Sequence, residues 1–194
     1  MVAHACHLSP RDREILAAHD VTLIHCPQSN AKLASGDFDW PAAARAGLAV
    51  TLGTDGAASN NSLSMLAEAK AAALTAKRVA GDPAALPFAA LDRALTETAA
   101  AALGFPEAGR IAPGAEADLL MVSLAHPAFI GNGSADANFI YAADPSAIDS
   151  VLCGGRVLMR HRVVAHEAEI LAAARAAVAT LEARVAGHPA PQPA

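Results

Sequence analysis

Aromatic residues are scarce in this chain, whose 194 residues include five Phe, one Trp and one Tyr. Charged residues are also few, at 17%, against a hydrophobic fraction of 54%, much of it Ala. Thin charge with high apolar content excludes a disordered chain and fits one domain built on a buried core. The shortage of bulky side chains points to Ala-rich helices packed closely against something larger. Net charge is only −5, and Lys and Arg form no run or stripe, which removes the footprint of a nucleic-acid partner. Cys6, Cys26 and Cys153 are odd in number and lack C-x-x-C spacing, so neither a disulfide framework nor a thiolate zinc site is expected. A reducing, cytoplasmic setting is the default. No apolar run approaches the roughly 20 residues of a membrane span, and no basic, apolar leader opens the chain, so no membrane association is expected.

What is present alternates in the manner of a parallel α/β protein. The apolar lead Val2 to His4 precedes Ser9-Pro10-Arg11-Asp12, which supplies a cap, a first-turn Pro and an acid for a helix through Ala18. Val21 to Cys26 reads as a buried strand, Pro41 to Ala46 as a helix closed by Gly47, and Leu48 to Leu52 as a third strand. Asn61 or Ser62 can cap a long helix to about Lys77, and Phe88, Leu91, Leu95 and Ala102 share the face of another that ends at Gly104. Past residue 105 the pattern becomes strand-like, at Asp118 to Val122 and on both sides of Gly154-Gly155, which reads as a tight hairpin. Ile170, Ala174, Val178, Leu181 and Val185 mark a last amphipathic helix, and the Pro-rich 187–194 reads as a disordered tail.

His4, His25 and Asp55 each follow a strand-like run, and in an α/β barrel strand C-termini point into the active-site mouth. Asp55 sits in Leu52-Gly53-Thr54-Asp55-Gly56-Ala57-Ala58-Ser59-Asn60-Asn61. One reading is a turn whose carboxylate binds nearby amides; the other is a carboxylate that binds a divalent metal and exchanges protons with its water.

Three runs carry a family resemblance: Ala3-His4-Ala5-Cys6-His7-Leu8, His25-Cys26-Pro27-Gln28-Ser29-Asn30-Ala31-Lys32-Leu33-Ala34-Ser35-Gly36, and Leu52 to Asn61. In order and spacing they resemble the last three barrel strands of the amidohydrolase superfamily, most nearly the 5-methylthioadenosine/S-adenosylhomocysteine deaminases and their atrazine-chlorohydrolase relatives. Gly109 to Leu119 resembles that family's return to a small β-sandwich, and Asn138 to Ala143 and Val151 to Met159 its closing strands. The resemblance implies the C-terminal strands of an incomplete (β/α)8 barrel over residues 1–105. Remnant β-sandwich strands over 106–165 and a C-terminal helix over 166–186 would follow.

Carried over by position, Asp55 is the metal-ligating carboxylate that shuttles a proton, and His4 is an electrophilic or proton-transfer group beside the hydrolytic water. His7 and His25 are supporting or structural, and Ser29, Asn30, Ser59 and Asn60 shape loops at the mouth. The implied cofactor is zinc, and the implied reaction is hydrolytic deamination of an aminopurine nucleoside. The family also uses an H-x-H pair on its first barrel strand and a His with a Glu three residues later on its fifth; neither accompanies the matched runs. The expectations are therefore weak or absent zinc binding by this chain alone, and a partner in a missing N-terminal half or a second chain, with homo-oligomerisation left open. The alternatives are a truncated non-catalytic fragment or partner module of a split amidohydrolase, and a hydrolase of another heterocycle of the 8-oxoguanine or chlorotriazine type.

Overall fold

The structure is a computed structural model that describes residues 1–131 and 133–186. It is α/β. Strands β1 (Val2–Ala3), β2 (Leu23–His25) and β3 (Val50–Leu52) form a parallel sheet in that order, with Val2 beside Leu23, and His25 beside Leu52. Helix α1 (Pro10–Ala18) crosses from β1 to β2; α2 (Pro27–Lys32) and α3 (Trp40–Arg45) cross from β2 to β3. The expected cap of α1 is present: the Ser9 hydroxyl accepts from the Asp12 amide at 3.1 Å, and the Asp12 carboxylate accepts from the Ser9 amide at 2.8 Å. Because the strands run parallel, their C-terminal ends share one edge of the sheet.

After β3 come α4 (Ala57–Asn60), α5 (Met65–Ala80), α6 (Phe88–Leu95) and α7 (Glu97–Ala102). Leu23, Val50 and Leu52 from the sheet, Phe38, Trp40 and Leu48 from the crossover, and Leu91 and Ala94 from α6 form the core with Ala69, Ala72, Ala73 and Ala76 of α5. These four alanines let α5 approach closely, which is how a chain short of bulky residues builds a buried layer. Two boundaries differ from the sequence expectation. The cap of α5 is Ser64, whose hydroxyl accepts from the Ala67 amide at 3.3 Å, while Asn61 ends α4 in a left-handed conformation. The single helix expected across Phe88 to Ala102 breaks at Thr96, whose hydroxyl donates to the Asp92 carbonyl at 2.7 Å and competes with the helical ladder.

Beyond α7, β4 (Leu119–Val122), β5 (Ile148–Cys153), β6 (Arg156–Arg160) and β7 (Val163–Val164) form an antiparallel sheet in that order. The Gly154-Gly155 hairpin joins β5 to β6, both glycines at positive φ as a two-residue turn requires. Asn138 to Ala143, expected as a closing strand, instead lies largely in helix α8 (Ala135–Tyr141). Ser134 caps α8 by accepting from the Ala137 amide, and Ile140 enters the core beside α5. This burial decides the segment's conformation and ties residues beyond 105 to the first sheet. The last helix, α9 (Glu167–Ala186), has its expected span but buries none of its side chains. The expected disordered tail, 187–194, lies outside the described residues.

Gly109 stands at φ +82°, and a Cβ there would fall 2.6 Å from the Thr96 carbonyl carbon and 2.7 Å from the Glu97 nitrogen, at the α6–α7 break. Gly47 has a similar φ, +74°, with nothing within 4 Å. Urea unfolding should therefore separate two substitutions. Gly47→Ala should cost about 1 kcal/mol from backbone conformation alone, and Gly109→Ala at least about 2 kcal/mol, because backbone must move. Equal midpoints would contradict this packing of Gly109 against the break.

Candidate active site at the sheet edge

At the shared strand-end edge, His4 follows β1, and Asp55 follows β3 by three residues. Both have positive φ, +65° and +60°, a conformation that costs non-glycine residues about 1–2 kcal/mol each. The Ala5 amide donates back to the Ala3 carbonyl at 2.9 Å, which closes a tight turn around His4. Strain of this kind persists where the surroundings fix the chain, and it concentrates at functional sites.

Helix α2 aims both side chains. The buried Ser29 hydroxyl donates to Asp55 Oδ2 at 2.6 Å, and the buried Asn30 Oδ1 accepts from His4 Nδ1 at 2.8 Å. An amide oxygen only accepts, so the His4 proton lies on Nδ1 and the Nε2 lone pair faces Asp55 Oδ2 at 3.9 Å. Asp55 Oδ1 also accepts from the Gly56 amide at 2.7 Å. The Ser29 hydroxyl first, then Gly56 and Ser59, with a smaller contribution from His4, hold the Asp55 carboxyl below the ordinary carboxylate range. Asp55 is thus an anion at neutral pH. Its oxygen and the His4 lone pair converge on one point in an open cleft of about 450 Å³, lined by His4, Cys6, His7, Leu33, Ser35 and Asp55. Two such acceptors can take a proton from a bound water or a substrate N–H.

The other sequence candidates divide. His7 is exposed and donates from Nε2 to the Ser35 carbonyl at 2.9 Å, holding the loop around Gly36. His25 is 2% exposed, stacked on Phe38 at 4.6 Å and edge-on to Trp40 at 6.2 Å, within the core. Burial first, then the charge of His4, depress its pKa from 6.5 to about 4, so it is neutral. Ser29 and Asn30 lie on α2, and Ser59 and Asn60 on α4, instead of in the expected loops. Ser59 donates to the Gly56 carbonyl at 3.1 Å; Asn60 is buried and donates from Nδ2 to the Thr54 carbonyl at 2.7 Å.

Sequence reasoning missed Glu68 on α5, fully buried and within 2.6 Å of Asn60 Nδ2. The available signal was its position: Glu68, Ala72 and Ala76 share one helical stripe, and a carboxylate is out of place there. Among the described residues, the buried side-chain polar atoms without a hydrogen-bond partner are His25 Nδ1, Gln28 Nε2, Asn30 Nδ2 and Asn60 Oδ1. All four belong to β2, α2 and α4, the elements behind the cleft. H-x-x-E spacing does occur, at His166–Glu169, but as an exposed contact of 3.3 Å at the start of α9.

Zinc is held by three or four protein ligands in its usual sites. Among the described residues no group of three or more His, Cys, Asp or Glu could hold a metal ion, and His4 with Asp55 supplies two donors. On their own these residues do not fit the metal.

A family model described as the Amidohydrolase family matches residues 1–158. A 5-methylthioadenosine/S-adenosylhomocysteine deaminase of Pelotomaculum thermopropionicum is 43% identical over 177 residues, covering 90% of this chain and 41% of that protein. A 5'-deoxyadenosine deaminase of Methanospirillum hungatei is 39% identical over 178 residues, covering 90% of this chain and 39% of that protein. The crystal structure of an adenosine deaminase from Xanthomonas campestris with bound zinc superimposes with a TM-score of 0.85 at 37% identity, covering 89% of this chain and 40% of that one. The chain therefore spans about two fifths of the length of the relatives it matches.

The neutral, buried His25 makes stability depend on pH. The unfolded chain takes up a proton near pH 6.5 that the folded chain refuses until about 4, so this contribution is full above 6.5 and is lost as pH falls towards 4. By pH 5 the loss should reach about 2 kcal/mol. His25→Phe, which keeps a ring against Phe38 and Trp40, should abolish that part of the dependence. Urea midpoints of both proteins at pH 7.5 and 5 measure it, and parallel pH dependences would show that His25 is not held neutral.

Proposed function

This chain belongs to the amidohydrolase family, and from that premise we propose that it carries part of the active site of a hydrolytic deaminase acting on an aminopurine nucleoside. The observation that carries the reading is the paired aim of His4 and Asp55 by the adjacent Ser29 and Asn30. The deaminases named above, similar over 90% of this chain, support it. In the reaction, water replaces the exocyclic amine and ammonia leaves. Asp55, kept anionic, accepts the proton of the attacking water and returns it to the departing amine. His4 presents its Nε2 to the same water and to the tetrahedral carbon's oxygen, with Asn30 fixing its tautomer.

In this proposal β1, β2 and β3 are neighbouring strands of a (β/α)8 barrel, with residues 1–105 its C-terminal part. Residues 106–165 are part of a small β-sandwich, and 166–186 a terminal helix. The metal is a divalent ion, zinc by the zinc-bound relative, with Asp55 as one ligand and the remaining ligands outside this chain. The remaining barrel strands come from an N-terminal segment or a second chain, and the setting is cytoplasmic. Among the described residues, no helix is long and apolar enough to cross a membrane.

Co-expression with a family N-terminal segment bearing H-x-H and H-x-x-E tests the proposal. Alone, the chain should retain less than one equivalent of zinc after dialysis and release no ammonia from adenosine or 5-methylthioadenosine. With the segment, zinc and turnover should appear together. Asp55→Asn should remove both, whereas His4→Ala should spare zinc and lower turnover by about 10²–10⁴-fold. A completed, zinc-loaded protein inert towards every aminated heterocycle would replace this reading with a non-catalytic one.

A further inference from the structure

The buried Glu68 carboxylate joins the two elements that carry the site. One oxygen, Oε2, accepts from the Gln28 amide at 3.2 Å, in the first turn of α2. The other, Oε1, accepts from Asn60 Nδ2 at 2.6 Å, and the same Nδ2 reaches the Thr54 carbonyl beside Asp55. The α2 arm continues through Ser29 to Asp55 and through Asn30 to His4. The α4 arm ends at the Thr54–Gly56 backbone, whose Gly56 amide donates to Asp55. No cation is seen paired with Glu68 among the ion pairs of the described residues, and Glu68 belongs to the buried, alanine-rich face of α5. A buried carboxylate satisfied by neutral donors, from Gln28 and Asn60, is costly to keep, and a nonpolar residue would suit the Ala stripe better on packing grounds alone.

We propose that Glu68 is a positioning residue that sets the relative placement of His4 and Asp55 by holding α2 with one oxygen and the β3–α4 loop with the other. The role requires two acceptors on one rigid stem. A glutamine offers one oxygen and one NH2 group, so one of the two donors must face another donor or turn away. If Asn60 turned its amide over to receive the new NH2, its Nδ2 would leave the Thr54 carbonyl. Either way one arm loosens. This inference rests on His4 and Asp55 as the working pair, but its test needs no turnover, so it can fail while the deaminase reading stands, and the reverse.

The experiment is NMR on the full chain at pH 8, with near-UV circular dichroism of Trp40 to report folding. Three signals matter: the Gln28 amide proton, the ring nitrogens of His4, and the Gly56 amide proton. In the unsubstituted chain the Gln28 and Gly56 amides should be shifted downfield by their carboxylate acceptors, and His4 should be almost wholly the Nδ1–H tautomer. In Glu68→Gln either the Gln28 shift should be lost and His4 become a mixture of tautomers, or the Gly56 shift should be lost. A folded Glu68→Gln chain with His4 and Gly56 unmoved would overturn the proposal and leave Glu68 a stability residue only. Should Glu68→Gln not fold, Asn60→Ala decides, because it cuts one arm. Movement of Gly56 with His4 and Gln28 unchanged supports the proposal, and an unmoved Gly56 overturns it.

Discussion

Parallel pairing of three short strands is the constraint on which the rest of this molecule depends. Residues separated by up to 51 positions, His4 and Asp55, meet only because β1, β2 and β3 all end at one edge of the sheet. The pairing is thin: β1 has two residues and is held by the Val2 amide on the Thr22 carbonyl at 3.0 Å and the His4 amide on the Ile24 carbonyl at 2.9 Å. His4 is therefore both a rung of the ladder and a side chain of the site. Any shift of β1 by one residue would turn His4 to the opposite face, since side chains alternate along a strand.

Thin pairing needs support from behind, which comes from α5. Its alanine stripe brings the helix close beneath β3 and α3, and Thr51 ties β3 to α6 by donating to the Ala94 carbonyl at 2.8 Å. Small side chains give up hydrophobic area in exchange for proximity, so stability rests on many close contacts instead of a few large residues. The few large ones, Phe38 and Trp40, are spent around His25. Their rings explain how a strand-end histidine became part of the core.

How much of this was legible in the sequence depended on the range of the interaction that decides each element. Local signals were sufficient for α1, where Ser9 and Asp12 cap each other, and for the Gly154-Gly155 hairpin. They misled at Thr96, where a clean apolar periodicity runs through a break at which the Thr96 hydroxyl bonds the Asp92 carbonyl and Gly109 packs closely from beyond the helix. They misled again at Asn138 to Ala143, whose helix is settled by Ile140 entering a core assembled from residues 23 to 94. In the site, His4 and Asp55 could be singled out because strand ends can be read from patterning. Glu68 could be flagged by its place on the alanine stripe of α5, but its role could not be read, because its partners, Gln28 and Asn60, are 40 and 8 positions away and neither carries charge.

Left-handed backbone at non-glycine residues recurs along the chain, at Asp20, Leu86, His161 and His166 among others, but at His4 and Asp55 it coincides with other unfavourable features. His4 and Asp55 carry left-handed backbone, Glu68 is a buried carboxylate, and four partnerless polar atoms lie on β2, α2 and α4. Each conflicts with what folding alone would select, and Asn30, Asn60 and Glu68 are linked by hydrogen bonds to His4 or to the backbone beside Asp55. The second sheet shows a different excess: Leu120, Met121 and Val163 are more than half exposed, as are Ile170, Val178 and Leu181 on α9. Exposed apolar side chains also occur earlier in the chain, at Leu33, Leu63 and Leu103. The polar conflicts need no covering partner to explain them, since they arise within contacts already made. They lie on the elements that hold His4 and Asp55, whereas the exposed apolar side chains are spread along the chain.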